Sequence, residues 1–410
     1  DKSVAEIGRE LDVGAILEGS VRKSGDQLRI TVQLIDARTQ GHLWSDDFDR
    51  EMRDIFEVQS EIARKVAGAL EITLVGSERE RVARAPTDDL EAYDLYLLAR
   101  HELSKRSASG IEKAIAHLQR ATELDPGFAP AHAGLADAFV LAALGYAAVP
   151  DALQCAEAAA RRAIRADPEL PEAHTSLGFV ALNRSWDWET AERELARAIE
   201  LNPSDARAHQ WYAQVALYRQ RYDESARRYE RALELDPLSV VIQNESGWPP
   251  MYKGRFEEAA GRFGKAETMD PSFAMARFNQ GNCHEALGRL DEAIRCYRKA
   301  AELSHRSPII LGFLGRALAR KGRREQARSI LGEIRSAIDE GASFHLGMAM
   351  IHEGLGEKEA ALDRLERALE EKEPLVGALD TEWLPMSSLQ GEPRFRNAVS
   401  AVHAQLGLGT

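Results

Sequence analysis

The side chains able to do chemistry in this chain of 410 residues are better suited to recognition than to catalysis. His352-Glu353 is followed by Gly354-Leu355-Gly356, so it lacks the second histidine that a helical zinc motif requires. No phosphate-cradling G-x-x-x-x-G-K-[ST] loop, no G-x-G-x-x-G and no G-x-S-x-G occurs. His132, His174, His209 and His345 would suit a metal by type, but they fall at equivalent positions of separate repeats. Each is expected to pack or face solvent within its own unit. Cys155, Cys283 and Cys296 form no C-x-x-C pair; the last two are expected to act as small buried hydrophobes. No metal, no cofactor and no catalysis are therefore expected. Amides, an indole and two guanidiniums stand out instead: Asn183, Gln210, Gln214, Asn244, Trp248, Asn279, Asn282, Arg316 and Arg320. Amides can pair with the backbone of an extended peptide, an indole can anchor it, and guanidiniums one turn apart can grip a carboxylate.

Those residues take their places from a 34-residue period. Small residues recur at Ala191, Ser225, Ala259, Ala293, Ala327 and Ala361. Four positions later come Leu195, Tyr229, Phe263, Tyr297, Leu331 and Leu365, and three later again Ala198, Ala232, Ala266, Ala300, Ile334 and Ala368. The i, i+4, i+7 spacing places small, large and small residues on one helical face. Each such helix should stop at Asp-Pro or Asn-Pro (Asp125-Pro126, Asp167-Pro168, Asn202-Pro203, Asp236-Pro237, Asp270-Pro271), since proline has no N–H and ends the preceding helix. A leading helix precedes it, with glycine for close approach at Gly178, Gly247, Gly281 and Gly315. Corner glycines follow at Gly288, Gly322 and Gly356.

This pattern resembles the tetratricopeptide repeat, a helix–turn–helix unit of 34 residues. Eight units align between Asp88 and Glu373. The resemblance implies a mainly α fold, a right-handed α–α superhelix, whose concave groove is lined by the leading helices and the nine residues named above. It also implies a non-catalytic scaffold for a peptide or protein partner. Repeats of this kind that bind carboxyl-terminal peptides use a lysine-and-asparagine clamp, and the matching lysines are missing here. The second unit is too long around Tyr146 to Gln154, and the sixth to eighth carry His305, Asp339 and Glu373 where the proline is due. In the fifth, Trp248-Pro249-Pro250 lies inside the leading helix, which should be bent or partly unwound between Val240 and Lys253.

Residues 1–76 follow a different period. Val4 to Leu11 reads as the end of a helix; Val13 to Val21 and Leu28 to Leu34 alternate as strands, joined by a turn at Lys23-Ser24-Gly25-Asp26. A third strand is expected over His42 to Phe48 and a helix from about Asp54. The segments Leu17-Glu18-Gly19-Ser20-Val21-Arg22, Leu28 to Asp36 and His42-Leu43-Trp44-Ser45 resemble a TolB-type amino-terminal domain lacking its first strand and helix. That resemblance implies the sensory or scaffolding half of a bacterial signalling protein whose cyclase, kinase or winged-helix effector lies upstream of Asp1. The expected organisation is a small α+β domain over 1–76, a linker over 77–87, the repeat array over 88–373 and a capping segment over 374–410. In the cap, Phe395, Val399, Val402 and Leu406 face inwards. The net charge of −13, from 53 basic and 66 acidic residues, argues against direct binding to nucleic acid or an anionic membrane. Three unpatterned cysteines suit a reducing, cytoplasmic setting.

Overall fold

The computed structural model describes residues 3–11, 13–25, 27–51, 54–70, 86–339, 344–371, 373, 379, 386 and 388–406. Most of the expected 77–87 linker and much of the segment after Glu373 lie outside these residues, as does Asp26 of the hairpin turn. The chain divides into two compact units, Asp1–Ser176 and Leu177–Thr410.

The first unit opens with helix α1 (Val4–Leu11) and three strands, β1 (Ala15–Ser24), β2 (Gln27–Asp36) and β3 (His42–Glu51). They form one antiparallel sheet in the order β1-β2-β3, with a register irregularity between Leu34 and Ile35. Each strand runs three residues past the end expected from its alternation, apart from β2, because hairpin pairing continues through charged residues such as Arg22 and Arg50. Ile30, Val32 and Leu34 alternate into the core opposite Phe48 and Trp44. Helix α2 (Ile55–Ala69) covers that face with Ile55 and Val58, while Lys65 bonds Asp46 at 2.6 Å and lies 4.9 Å over the Phe48 ring.

Helix pairs follow in the same unit: α3 (Leu90–Ser104) with α4 (Ala108–Leu124), then α5 (Ala129–Leu141) with α6 (Ala152–Ala166). Asp89 caps α3 by accepting from the Ala92 N–H at 2.9 Å, and Ser107 caps α4 through the Gly110 N–H. The surplus length of the second pair is absorbed by a π-helical turn, Ala142–Tyr146, where Gly145 adopts φ +92°. Helix α7 (Pro171–Val180) begins the third pair and carries the boundary between the units.

The second unit continues with a π turn (Ala181–Ser185) and α8 (Trp188–Leu201). Then come α9 (Ala206–Tyr218) with α10 (Tyr222–Leu235), α11 (Val240–Glu245) and α12 (Trp248–Tyr252) with α13 (Phe256–Met269), and α14 (Ala274–Ala286) with α15 (Leu290–Leu303). The pairs α16 (Pro308–Arg320) with α17 (Arg324–Asp339) and α18 (His345–Leu355) with α19 (Lys358–Glu370) follow, and α20 (Pro393–Leu406) closes the chain. The protein is therefore mainly helical, an α–α repeat array preceded by a small three-stranded sheet.

The periodic landmarks explain the packing. Ala191, Ala198, Ala259, Ala266, Ala293 and Ala300 are fully buried, as are the large residues between them. A Cβ placed on Gly281 would stand 2.5 Å from the Tyr297 ring, one on Gly247 2.5 Å from the Phe263 ring, and one on Gly178 2.5 Å from Leu195 Cγ. In these three pairs the large residue of the second helix thus lies against the glycine of its own first helix, whereas a Cβ on Gly315 would meet Ile351 of the following pair at 2.5 Å. At the corner between the two helices Gly254, Gly288, Gly322 and Gly356 all have φ between +71° and +81°, the left-handed region in which glycine is unstrained. Gln220 occupies the same phase with φ +59° and no such freedom.

The leading helix of the fifth unit is broken as the prolines dictate. Pro249 and Pro250 have no N–H to offer the carbonyls one turn back, so α11 stops at Glu245 and α12 begins at Trp248. Across the break the Gly247 N–H bonds Asn244 O at 3.0 Å, a tighter turn than the α-helix. In the cap, Phe395, Ala398 and Val402 are buried and Val399 is half-buried. The side chain of Leu406 lies outside the described ones.

Candidate functional site

Helix α9, the α11–α12 pair, α14 and α16 are the first helices of successive pairs in the second unit, and they carry eight of the nine candidate recognition residues. The structure gathers most of these into one buried hydrogen-bonded ladder. Glu245, at the end of α11, is its first hub: Gln210 Nε2 and Gln214 Nε2 donate to its Oε2 at 2.8 and 3.1 Å, and the Tyr229 hydroxyl lies against the carboxyl. One residue earlier, Asn244 Oδ1 accepts from Asn279 Nδ2 at 3.2 Å, and Asn279 Oδ1 accepts from Asn282 Nδ2 at 3.4 Å. The Tyr297 hydroxyl sits 2.9 Å from both Asn282 Oδ1 and Glu285 Oε2. Glu285 is the second hub, 3.1 Å from Arg316 Nη2 through one oxygen and 3.1 Å from Arg320 Nη1 through the other.

The spacing follows from the repeat. Gln210 with Glu245, Asn244 with Asn279, Glu285 with Arg320 and Glu353 with Ser388 are each 35 residues apart, one more than the period. A polar side chain on one first helix therefore meets the neighbouring first helix one residue further on. Buried polar groups left unpaired cost about 1–3 kcal/mol each, so this pairing lets amides and carboxylates occupy otherwise apolar helices.

Electrostatics follow burial. Burial pushes the Glu245 carboxyl up from its ordinary value of 4.5 to about 7, against the pull of its Gln210 and Gln214 donors. Burial, the largest single influence, opposes the Arg316 charge, but Glu285, Tyr297 and Glu353 together outweigh it and hold the guanidinium above its ordinary value. Tyr229 and Tyr297 are raised well above the ordinary phenol value, by burial first and by Glu245 and Glu285 respectively after it.

Of the nine candidates, Gln210, Asn244, Asn279, Asn282 and Arg316 are buried, and Arg316 has no exposed side-chain surface. Gln214 is half-buried, and the Arg320 side chain is 37% exposed. Trp248 is half-buried where the broken helix turns, packed on Ala213, Tyr229, Ala232 and Ile242. Asn183 stands apart in the π turn, exposed, with its amide donating to Phe179 O at 3.0 Å. Glu245 and Glu285, the acids that tie the others together, went unnamed in the sequence reading. The 35-residue offset to Gln210 and Arg320 is the signal that would have found them.

The remaining chemical candidates have structural roles. His132, His174 and His209 each place Nε2 2.9–3.1 Å from the carbonyl of the proline six residues earlier (Pro126, Pro168, Pro203), locking the turn between helix pairs. Burial lowers the pKa of His132 and His209, so each carries its proton on the nitrogen facing the carbonyl and is otherwise neutral. His345 falls with Glu371 and Glu373 in a cluster of metal-ligand types. Both oxygens of Glu373, however, accept from helix N–H groups, of His345 at 2.5 Å and Leu346 at 2.8 Å, which caps α18. Burial raises the thiols of Cys283, to about 12, and Cys296, which makes both poor nucleophiles. No helix among the described residues is long and apolar enough to cross a membrane.

With this geometry in view, likeness to known proteins can be placed on it. The tetratricopeptide repeat family profile matches residues 182–240 and 251–308, which span α8 to α15. A protein of Rhizobium meliloti named "Putative adenylate cyclase 3" is 38% identical over 188 residues, 45% of this chain. The chain spans 31% of the length of that relative. Among solved structures, the Cut9–Hcn1 assembly of the APC/C is 15% identical with a TM-score of 0.49, covering 77% of this chain and 56% of that one. YrrB, described as a TPR protein with an unusual peptide-binding site, is 18% identical with a TM-score of 0.35, covering 47% and 95%. The pilF protein of Pseudomonas aeruginosa is 20% identical with a TM-score of 0.39, covering 52% and 95%.

Proposed function

From a chain that carries tetratricopeptide repeats, we propose a non-catalytic scaffold that holds a protein partner, through an extended peptide segment, on the face made by its first helices. The array is taken as 88–373. The observation that carries this reading is the ladder itself. It ties α9, the α11–α12 pair, α14 and α16 together through hydrogen bonds between neighbouring first helices, and so preorganises one continuous face. In this reading Asn183, Gln214, Trp248 and Arg320 meet the partner. Gln210, Asn244, Asn279, Asn282 and Arg316 hold that face in register behind them. Trp248 offers an aromatic anchor beside the break, and Arg320 retains exposed surface for a carboxylate. Affinity capture with the intact chain, beside a Gln214→Ala/Trp248→Ala/Arg320→Ala variant of matched melting temperature, tests the assignment. Partners bound by the first and lost by the second support it; an identical set on both overturns it.

The likeness to a cyclase-named relative, of which the matched 188 residues make up 31%, favours a second reading. Here the chain is the regulatory half of a bacterial signalling protein. Residues 1–76 would be a TolB-type domain between the array and an upstream adenylate cyclase, kinase or winged-helix effector, and the setting cytoplasmic. Deleting the array from the full open reading frame and measuring effector output would test it. Output unchanged by the deletion, or a reading frame with no effector, would sink it.

A further inference from the structure

A cavity of about 630 Å³ lies between α17, α18 and α19, away from the ladder and on helices that carry none of the nine recognition residues. Four arginines line it. Arg328 and Arg335 stand two turns apart on α17, and Arg364 and Arg367 one turn apart on α19. His352 also lines it, and Leu331, Met348 and Ala360 supply apolar lining.

The distribution of neutralising charge around this cavity is uneven. Most carboxylates on its two long helices are taken by cations outside it. Arg306 holds Glu333 at 2.5 and 2.6 Å, and Arg394 holds Asp363 at 2.8 Å, Glu366 at 2.7 Å and Glu359 at 3.0 Å. Asp363, the acid of the lining, is thereby drawn towards Arg394, which it shares with Glu359 and Glu366. Glu357 is shared between Arg328 at 3.0 Å and His352 at 2.8 Å. The Arg367 pair with Glu370 is 3.5 Å long and about two-thirds exposed on both sides, a geometry of little strength. Among the described residues Arg364 has no carboxylate partner and meets the Nδ1 of His345 at 3.2 Å, and Arg335 has no ion-pair partner. A chain of net charge −13 has thus left two guanidiniums, those of Arg335 and Arg364, without a carboxylate partner among the described residues around one concavity.

We propose that this cavity is a binding site for a small ligand bearing two or more phosphate groups. Guanidinium forks match phosphate oxygens two at a time, and four of them on facing helices can hold adjacent phosphates. The volume lies in the range of small-molecule sites, and the apolar lining can seat a ring or sugar body beside the phosphates. The overall negative charge repels a long polyanion, whereas a ligand confined to the cavity feels chiefly charges within a screening length of about 8–10 Å. The site is independent of the peptide-binding reading.

Calorimetry on the full chain tests this, with EDTA present and ionic strength held with sodium chloride. Tripolyphosphate, ATP and sulfate are the probes. The cavity variant is Arg335→Gln/Arg364→Gln, and the control is Arg193→Gln/Arg295→Gln, which removes two exposed arginines elsewhere. Tripolyphosphate should bind the native chain and the control alike and sulfate far more weakly, and the cavity variant should lose at least tenfold in affinity. ATP tighter than tripolyphosphate would place an organic body against Leu331 and Met348; equal affinities would assign the site to the phosphate groups alone. Gly332 gives a second route: a Cβ there meets nothing within 4 Å, so Gly332→Phe should fill the cavity without removing charge and abolish binding. Tripolyphosphate binding no tighter than sulfate, or undiminished in the folded cavity variant or in folded Gly332→Phe, overturns the proposal.

Discussion

Replacing Glu245 by glutamine should stabilise the protein, and by an amount that depends on pH. The carboxyl is buried, and its pKa rises from 4.5 to about 7, chiefly through burial. Below pH 4.5 both the folded and unfolded chains hold the proton, and the group is neutral in its effect. Between 4.5 and about 7 the unfolded chain loses the proton while the folded one retains it, so stability falls as pH rises. Above about 7 both are ionised and the full cost is present. At 1.36 kcal/mol for each tenfold change in proton affinity, the displacement corresponds to about 3 kcal/mol. The Glu245→Gln variant removes the ionisation and keeps the shape, because one oxygen can still accept from Gln210 and Gln214 while the new NH₂ group faces the Tyr229 hydroxyl. Urea denaturation of both proteins at pH 4.5, 6 and 8 measures the difference. The variant should match the native protein at pH 4.5 and exceed it by about 2–3 kcal/mol at pH 8. A difference that stays constant across this range, or a variant less stable at pH 8, would refute the argument that burial of this carboxyl sets its ionisation.

Four further outcomes follow from the same packing. Glu285→Gln removes the carboxylate paired with the fully buried Arg316 guanidinium and should cost about 3–5 kcal/mol in chemical denaturation, far more than loss of the exposed Arg29–Asp49 pair. Gly281→Ala drives a methyl group to 2.5 Å from the Tyr297 ring and should lower stability by about 1–3 kcal/mol, read as a fall in melting temperature. Gln220→Gly relieves a left-handed residue at a position where later units carry glycine and should raise stability by about 1 kcal/mol in the same assay. The imidazole of His209 should titrate below 6.5 by NMR, since burial depresses its folded pKa. Its contribution is therefore present above 6.5 and lost as pH falls through the folded value, and His209→Ala should flatten that acid limb.

How far the site could be read in advance differs residue by residue. Trp248 and the break beside it were legible because a missing N–H is a covalent property that no tertiary contact restores. The first helices were legible as the bearers of amides and arginines, since residue type and period are both written in the chain. That Asn282 and Arg316 lie buried was not, because a polar residue on a helix does not say whether another helix covers it. The arginine-lined cavity was invisible for a related reason. Arg328 and Arg364 are 36 residues apart, and only the packing of α17 and α19 brings them to one concavity.

The amino-acid sequence by itself determined the helix pairs, their 34-residue period, the corner glycines and the Asp-Pro stops, as well as the alternation of the three strands. These depend on φ restrictions, missing donors and the 3.6- and 2-residue periodicities, all of which act within a few residues. The tertiary structure decided which polar side chains meet. The one-residue offset between stacked first helices joins Gln210 to Glu245 and Glu285 to Arg320. That offset arises from the angle and register at which neighbouring pairs pack, a property of whole helices in contact, to which no local spacing corresponds.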